Sequence, residues 1–169
     1  MKMIYSHGSK ANKSIYYYHP IIGYNFRMTN IQAALGVAQL KRINKFLKIR
    51  RAHEKLYRRL LTGIPGIKFS PKPSKVTTVG WMHSILIDGK NITRDNLMLE
   101  LKKYNVETRP FFYPIHKMPP YVKYRQGSFP IAEYLSKTGI CLPSSVNLSA
   151  KEIIYITDII RNTFGKLHK

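Results

Sequence analysis

The sequence predicts a compact α+β layer structure in which helices cover one face of a small sheet. Three observations carry that expectation. A helical period of apolar residues runs from Asn30 to Leu61, short β-like runs alternate with helical stretches after Gly63, and two capping boxes, Thr29 with Gln32 and Ser149 with Glu152, mark helix starts. After Gly63 the order reads strand, strand, helix, strand, helix, strand, helix, with no internal repeat and no low-complexity linker.

Residues 1 to 28 hold no sustained helical period. They carry a tyrosine-rich run, SIYYYHPIIGYNF, broken by Pro20 and Gly23. Behind the Thr29 cap, Ile31, Leu35, Ala38, Leu40, Ile43, Leu47 and Ile49 form one apolar stripe, which continues with a kink near Asn44 through Leu56, Leu60 and Leu61 to Gly63 as C-cap. Such a helix is long enough to bridge two bodies of a protein. GIPGIKF and VTTVGWMHSILI then read as strands, the second closed by the turn DGKN. Thr93 caps a helix through Tyr104 with Leu97, Leu101 and Tyr104 on one face, and NVETR reads as a short strand.

TRPFFYPIHKMPPY, residues 108 to 121, is neither helix nor regular strand, because Pro110, Pro114, Pro119 and Pro120 each fix φ and remove a donor. A stiff aromatic loop of this kind serves either as a binding wall or as packing under a core. PIAEYLSKTG follows as a helix with Pro130 in its first turn, ICLP as a strand, and SAKEIIYITDIIRNTF as a helix buried along Ile153, Ile156, Ile160 and Phe164.

At 169 residues, 44% hydrophobic and 12% aromatic, the chain belongs with globular proteins. No apolar run approaches the ~20 residues of a membrane span, and MKMIYSHGSKANKS lacks the apolar centre of a secretory signal, so the cytoplasm is the expected compartment. Cys141 is the only cysteine, which rules out a disulfide within the chain and argues against a metal cluster. Twenty-nine Lys and Arg against eight Asp and Glu give a net charge of +21, which makes nucleic acid a partner to weigh. The lysines are scattered, however, and the densest stretch, KRINKFLKIRRAHEKLYRRLL, reads as the solvated face of an amphipathic helix.

No phosphate loop with a following lysine, HExxH, CxxC or GxSxG is present. Glu54, Asp95, Glu100 and Glu152 fit helix faces or caps. His53 and His168 read as solvated and His83 as a satisfied strand residue, leaving His7, His19 and His116 in loops beside Gly or Pro.

Two segments stand out, GYNFRMTNIQAALGVAQL at 23 to 40 and the proline-rich loop. Together with His7–Gly8, Arg50–Arg51, FPIAEYLSKTGICLP and LSAKEI, in this order and at these spacings, the chain resembles the pyridoxal-phosphate-dependent sugar aminotransferases of the DegT/DnrJ/EryC1/StrS group, in its perosamine synthetase branch. The resemblance implies an α/β chain, the C-terminal part of the type I aminotransferase fold. Residues 1–62 would be a remnant of the large domain with the long connecting helix, and 63–169 the small α+β domain. It implies a dimeric enzyme moving an amino group from glutamate to a keto sugar held on a nucleotide.

The family's lysine neighbourhood, SxxxxK with GEGG, has no counterpart here. No catalytic residue and no metal ligand is therefore assigned to this chain, and pyridoxal 5'-phosphate is expected in the full enzyme, with the Schiff-base lysine upstream of Met1. By the same resemblance Asn25 would reach the cofactor phosphate across a dimer, unless it only stabilises a turn. Arg27 would bind phosphate or nucleotide, unless it pairs with a helix end. Arg109, Tyr113 and His116 would face the nucleotide sugar, with Phe111 and Phe112 as packing. The expected partner is a second copy or a complementary N-terminal half. Two competing expectations are a basic module for nucleic acid or anionic glycan, and a non-enzymatic remnant that dimerises through residues 1 to 40.

Overall fold

The computed structural model describes residues 19–72, 74–89 and 91–165. The His7–Gly8 pair, residues 14–18 of the tyrosine-rich run and His168 lie outside them. The chain divides into two compact units, Met1–Asn44 and Lys45–Lys169.

In the first unit, α1 spans Asn30–Leu40 and opens on the expected capping box. Thr29 N donates to Gln32 Oε1 at 2.9 Å and Gln32 N donates to Thr29 Oγ1 at 3.3 Å, so two otherwise orphaned donors are satisfied reciprocally. None of its residues is buried. The expected helical stretch persists to Leu61, but its interruption falls earlier than Asn44. Arg42 N bonds to Gln39 O at 3.0 Å, three residues back rather than four, and the helix resumes as α2, Ile43–Leu61. Gly63 follows with φ of +89°, the left-handed backbone that glycine adopts without steric cost at a helix end.

The second unit is built on a four-stranded antiparallel sheet. Its strands are β1 (Ile67–Phe69), β2 (His83–Ile87), β3 (Arg109–Pro110) and β4 (Gly139–Leu142), in the spatial order β1-β2-β4-β3. Ile85 pairs with Ile140 and His83 with Leu142, which puts these four on one face. On that face lie Tyr57 and Leu61 of α2, Leu97 and Leu101 of α3 (Arg94–Lys103), and Ile153, Ile160 and Phe164 of α5 (Ala150–Gly165) in one core cluster. Each fully buried aliphatic side chain here contributes about 1.5–3 kcal/mol.

β4 is buried along its whole length, because its other face is covered as well. There the Phe111 ring lies over Gly139 so closely that a Cβ on Gly139 would fall 2.3 Å from Phe111 Cγ. Gly139 also closes α4, Pro130–Thr138. Three further bonds tie the helices to distant backbone. Tyr57 OH donates to Pro143 O at 3.1 Å, and Arg161 donates through Nε and Nη2 to Leu60 O at 3.0 and 2.5 Å.

Candidate functional site

A groove of about 790 Å³ in the second unit opens where β3, the end of α3 and the start of α5 meet. Local chemistry delivers its walls. Val106 N bonds to Leu101 O at 3.0 Å and Asn105 takes φ of +59°, so α3 ends sharply and Glu107 to Arg109 leave in the direction of β3. Arg109 pairs with Cys141 across the ladder. Next to Trp81, another lining residue, Gly80, with φ of +60°, sits so close to the Arg50 carbonyl that a Cβ would approach it to 2.9 Å. Arg50 Nη1 donates to Trp81 O at 2.9 Å and Arg51 Nε to Thr78 O at 3.2 Å, so the Arg50–Arg51 pair fixes the segment that presents the Trp81 ring. Tyr155 OH donates to Tyr104 O at 3.5 Å and joins two further rings of the wall.

Glu133 on α4 holds the middle of the proline-rich loop. His116 is buried, with Nε2 3.1 Å from Glu133 Oε1 and its ring 4.8 Å from that of Phe129. Lys117 Nζ donates to the other carboxylate oxygen at 2.6 Å. The Lys117 ammonium first, and His116 second, hold the Glu133 carboxyl below its ordinary range. Tyr113 lines a second groove of about 680 Å³ with Phe111, Tyr134, Lys117, Lys137 and Arg94. The three loop candidates thus separate: Arg109 lines the first groove, Tyr113 the second, and His116 lines neither, being committed to Glu133. Phe112 is exposed.

Asn25 and Arg27, in the first unit, are both exposed beside stacked Tyr24 and Phe26 rings 5.1 Å apart. An amide and a guanidinium suit a phosphate. Every described lysine is exposed, so none has the desolvated setting that activates an amine for imine formation. The described residues therefore do not by themselves fit the whole of pyridoxal phosphate. Among them no three His, Cys, Asp or Glu side chains converge as a metal site, and no helix is long and apolar enough to cross a membrane.

A buried histidine pair went unforeseen. His53 is buried rather than solvated, and His83, although a strand residue, is not satisfied: both of its ring nitrogens, like Nδ1 of His53, lack a hydrogen-bond partner. Burial lowers both, and pushes His83 down to about 4. Beside them Glu54 is drawn up by burial, but bonds from Thr78, Lys72 and Arg58 outweigh this and hold it below the usual carboxylate range. The signal for His53 was its spacing, four residues before Tyr57 and eight before Leu61 on one helix face.

With this geometry in hand, comparison with known proteins decides the family. A profile of the DegT/DnrJ/EryC1/StrS aminotransferase family matches residues 1–161. The chain belongs to that family. It is 37% identical over 151 residues to GDP-perosamine synthase of Vibrio cholerae, an alignment covering 88% of this chain and 41% of that protein. With GDP-perosamine synthase of Escherichia coli O157:H7 it shares 38% identity over 149 residues, again 88% of this chain but 40% of the relative. Among solved structures, the aminotransferase TlmJ from Streptoalloteichus hindustanus superposes with a TM-score of 0.85 at 22% identity over 99% of this chain and 44% of its own, which shows the shared fold. This DegT/DnrJ/EryC1/StrS chain spans about two-fifths of the length of the curated relatives it matches.

Proposed function

We propose that the chain is the C-terminal portion of a pyridoxal-phosphate-dependent aminotransferase that moves an amino group from glutamate to a keto sugar carried on a nucleotide, and that it works only with the lysine-bearing remainder of such an enzyme. The observation that carries this is the 37–38% identity to two GDP-perosamine synthases along 88% of the chain. In this reading residues 1–62 belong to the large domain and the connecting helix, and 63–169 form the small domain. Asn25 and Arg27 take the phosphate side of cofactor or nucleotide, while Arg109 and Tyr113 face the substrate. His116 is a positioning residue that acts through Glu133. The cofactor, a dimeric assembly and a cytoplasmic setting belong to the assembled enzyme.

The test is reconstitution. The chain is co-expressed with the lysine-bearing half of a perosamine synthase, and amino transfer from glutamate to a GDP-linked 4-keto sugar is followed together with the visible absorbance of bound cofactor. Transfer and absorbance that need both halves are expected. Two folded halves that give neither would overturn the proposal.

A further inference from the structure

The surface of α2 repels itself. Of its 19 residues seven are lysine or arginine and one, Glu54, is acidic. Three of the cations are used internally: Arg50 and Arg51 donate to the carbonyls of Trp81 and Thr78, and Arg58 pairs with Glu54. The other four, Lys45, Lys48, Lys55 and Arg59, are exposed and make no side-chain hydrogen bond or ion pair with any described residue. All four lie in the second unit. Steps of three, seven and four residues put them on one helix face, in a stripe about 21 Å long. Lys45 stands three residues from Lys48, Lys55 four from Arg59, and Arg51 three or four from Lys48 and Lys55, so like charges oppose each other at helical neighbour spacing along the whole stripe. Glu54, the one acid of the helix, is committed to Thr78, Lys72 and Arg58. A solvated helix face ordinarily mixes its charges, whereas one that keeps only cations is complementary to an anion it does not contain.

What the stripe lacks narrows that anion. It is a convex helix face, and none of the four residues lines either groove. Between Lys45 and Arg59 the only other exposed positions are Arg51 and Ala52. No exposed ring stands there to stack on a base, and no exposed large apolar side chain to anchor a protein partner. A plane of anionic headgroups asks for neither, since charge spread over one face is enough. We propose that α2 docks this protein on anionic lipid surfaces, with Lys45, Lys48, Lys55 and Arg59 meeting the headgroups and the helix lying on the membrane without entering its hydrocarbon. The contact is reversible and salt-sensitive, because the attraction falls off within a Debye length. It sets where the protein works and does not rest on the aminotransferase reading.

The 169-residue chain is sedimented with vesicles of phosphatidylcholine alone and of phosphatidylcholine mixed three to one with phosphatidylglycerol. Binding to the mixed vesicles, weakening steeply as salt rises, is expected. Each cation near such a surface contributes roughly fivefold, so Lys48→Gln, Lys55→Gln and Arg59→Gln together should weaken binding about thirtyfold or more. Lys102→Gln, Lys123→Gln and Lys151→Gln remove the same charge from exposed positions elsewhere on the unit and should change it by no more than about threefold. The stripe variant should melt at or above the temperature of the parent, because it loses like-charge repulsion and keeps good helix formers. Equal losses in the two triple variants would show that net charge, and not α2, attracts the protein to lipid. Equal binding to neutral vesicles, or a stripe variant that binds as the parent does, would likewise overturn the proposal. A clearly lower melt would show that the stripe serves the fold instead. A single-stranded oligonucleotide held through the same three residues more tightly than the vesicles would make the stripe a nucleic-acid site and overturn the lipid assignment.

Discussion

The His83 imidazole lies against Tyr57, ring centroids 5.2 Å apart, and against His53 at 6.3 Å, with neither nitrogen bonded. Its folded pKa of about 4 lies below the ordinary 6.5, so the unfolded chain binds more protons between those values. The stability that neutral His83 supplies is complete above about pH 6.5 and is lost as the pH falls toward 4. The loss is of the order of 3 kcal/mol, with His53 adding in the same direction. His83→Phe removes two unsatisfied nitrogens from the core. Urea denaturation should show it unchanged or up to about 2 kcal/mol more stable at pH 7, with a shallower decline below pH 6.5. A variant as acid-sensitive as the parent would show that His83 is not the group responsible. At this scale the sequence was legible in part. The alternation HSILI shows that His83 faces the same way as Ile85 and Ile87, but pattern carries no information about which polar atoms meet a ring once it is inside.

Among the elements, capping was the clearest text. Thr29, Thr93 and Ser149 each accept the first-turn N–H that their spacing promised, because the cap is a local exchange between residues three apart. Strand lengths were less legible. VTTVGWMHSILI yields only His83–Ile87, since Gly80 turns the chain through positive φ, and NVETR gives way to the two-residue β3, since Asn105 does the same. Pro110, which has no N–H to give a ladder, sits on the edge strand where none is required.

Two predictions belong to elements. Gly139→Ala should cost about 2–3 kcal/mol in chemical denaturation, because a Cβ there meets both Phe111 and, at 2.6 Å, Leu135 O. Adding Phe111→Ala should restore only part of it, since the carbonyl remains. In contrast Leu35→Lys on α1, which buries no residue, should change the stability of the chain by no more than about 0.5 kcal/mol. The same change should abolish co-purification with the lysine-bearing half if α1 docks there; retained co-purification would exclude α1 from that interface.

For the whole molecule, every residue of the core cluster lies between Leu56 and Phe164. A polypeptide of residues 45–169 should therefore melt within a few degrees of the full chain by circular dichroism, and a fall of 10 °C or more would show that the first unit contributes to the core. The excess of positive charge, which first suggested nucleic acid, is partly spent internally: Arg50, Arg51 and Arg161 cap carbonyls, and Arg58 and Lys72 serve Glu54. Composition could not reveal this, because it counts cations without their partners. The matched relatives include GDP-perosamine synthases, and the basic-module reading gains nothing from them.

The strand order has a consequence for synthesis. β2 lies between β1 and β4, and its contact with β4 joins Ser84 to Cys141, 57 residues apart. A growing chain that has left the ribosome only as far as Tyr124 can pair β1 with β2, yet the inner edge of β2 stays open, and α5, which seals the core, has not been made. The unit cannot complete itself until α4, β4 and α5 have emerged, and products stalled before then will present a bare strand edge to their neighbours.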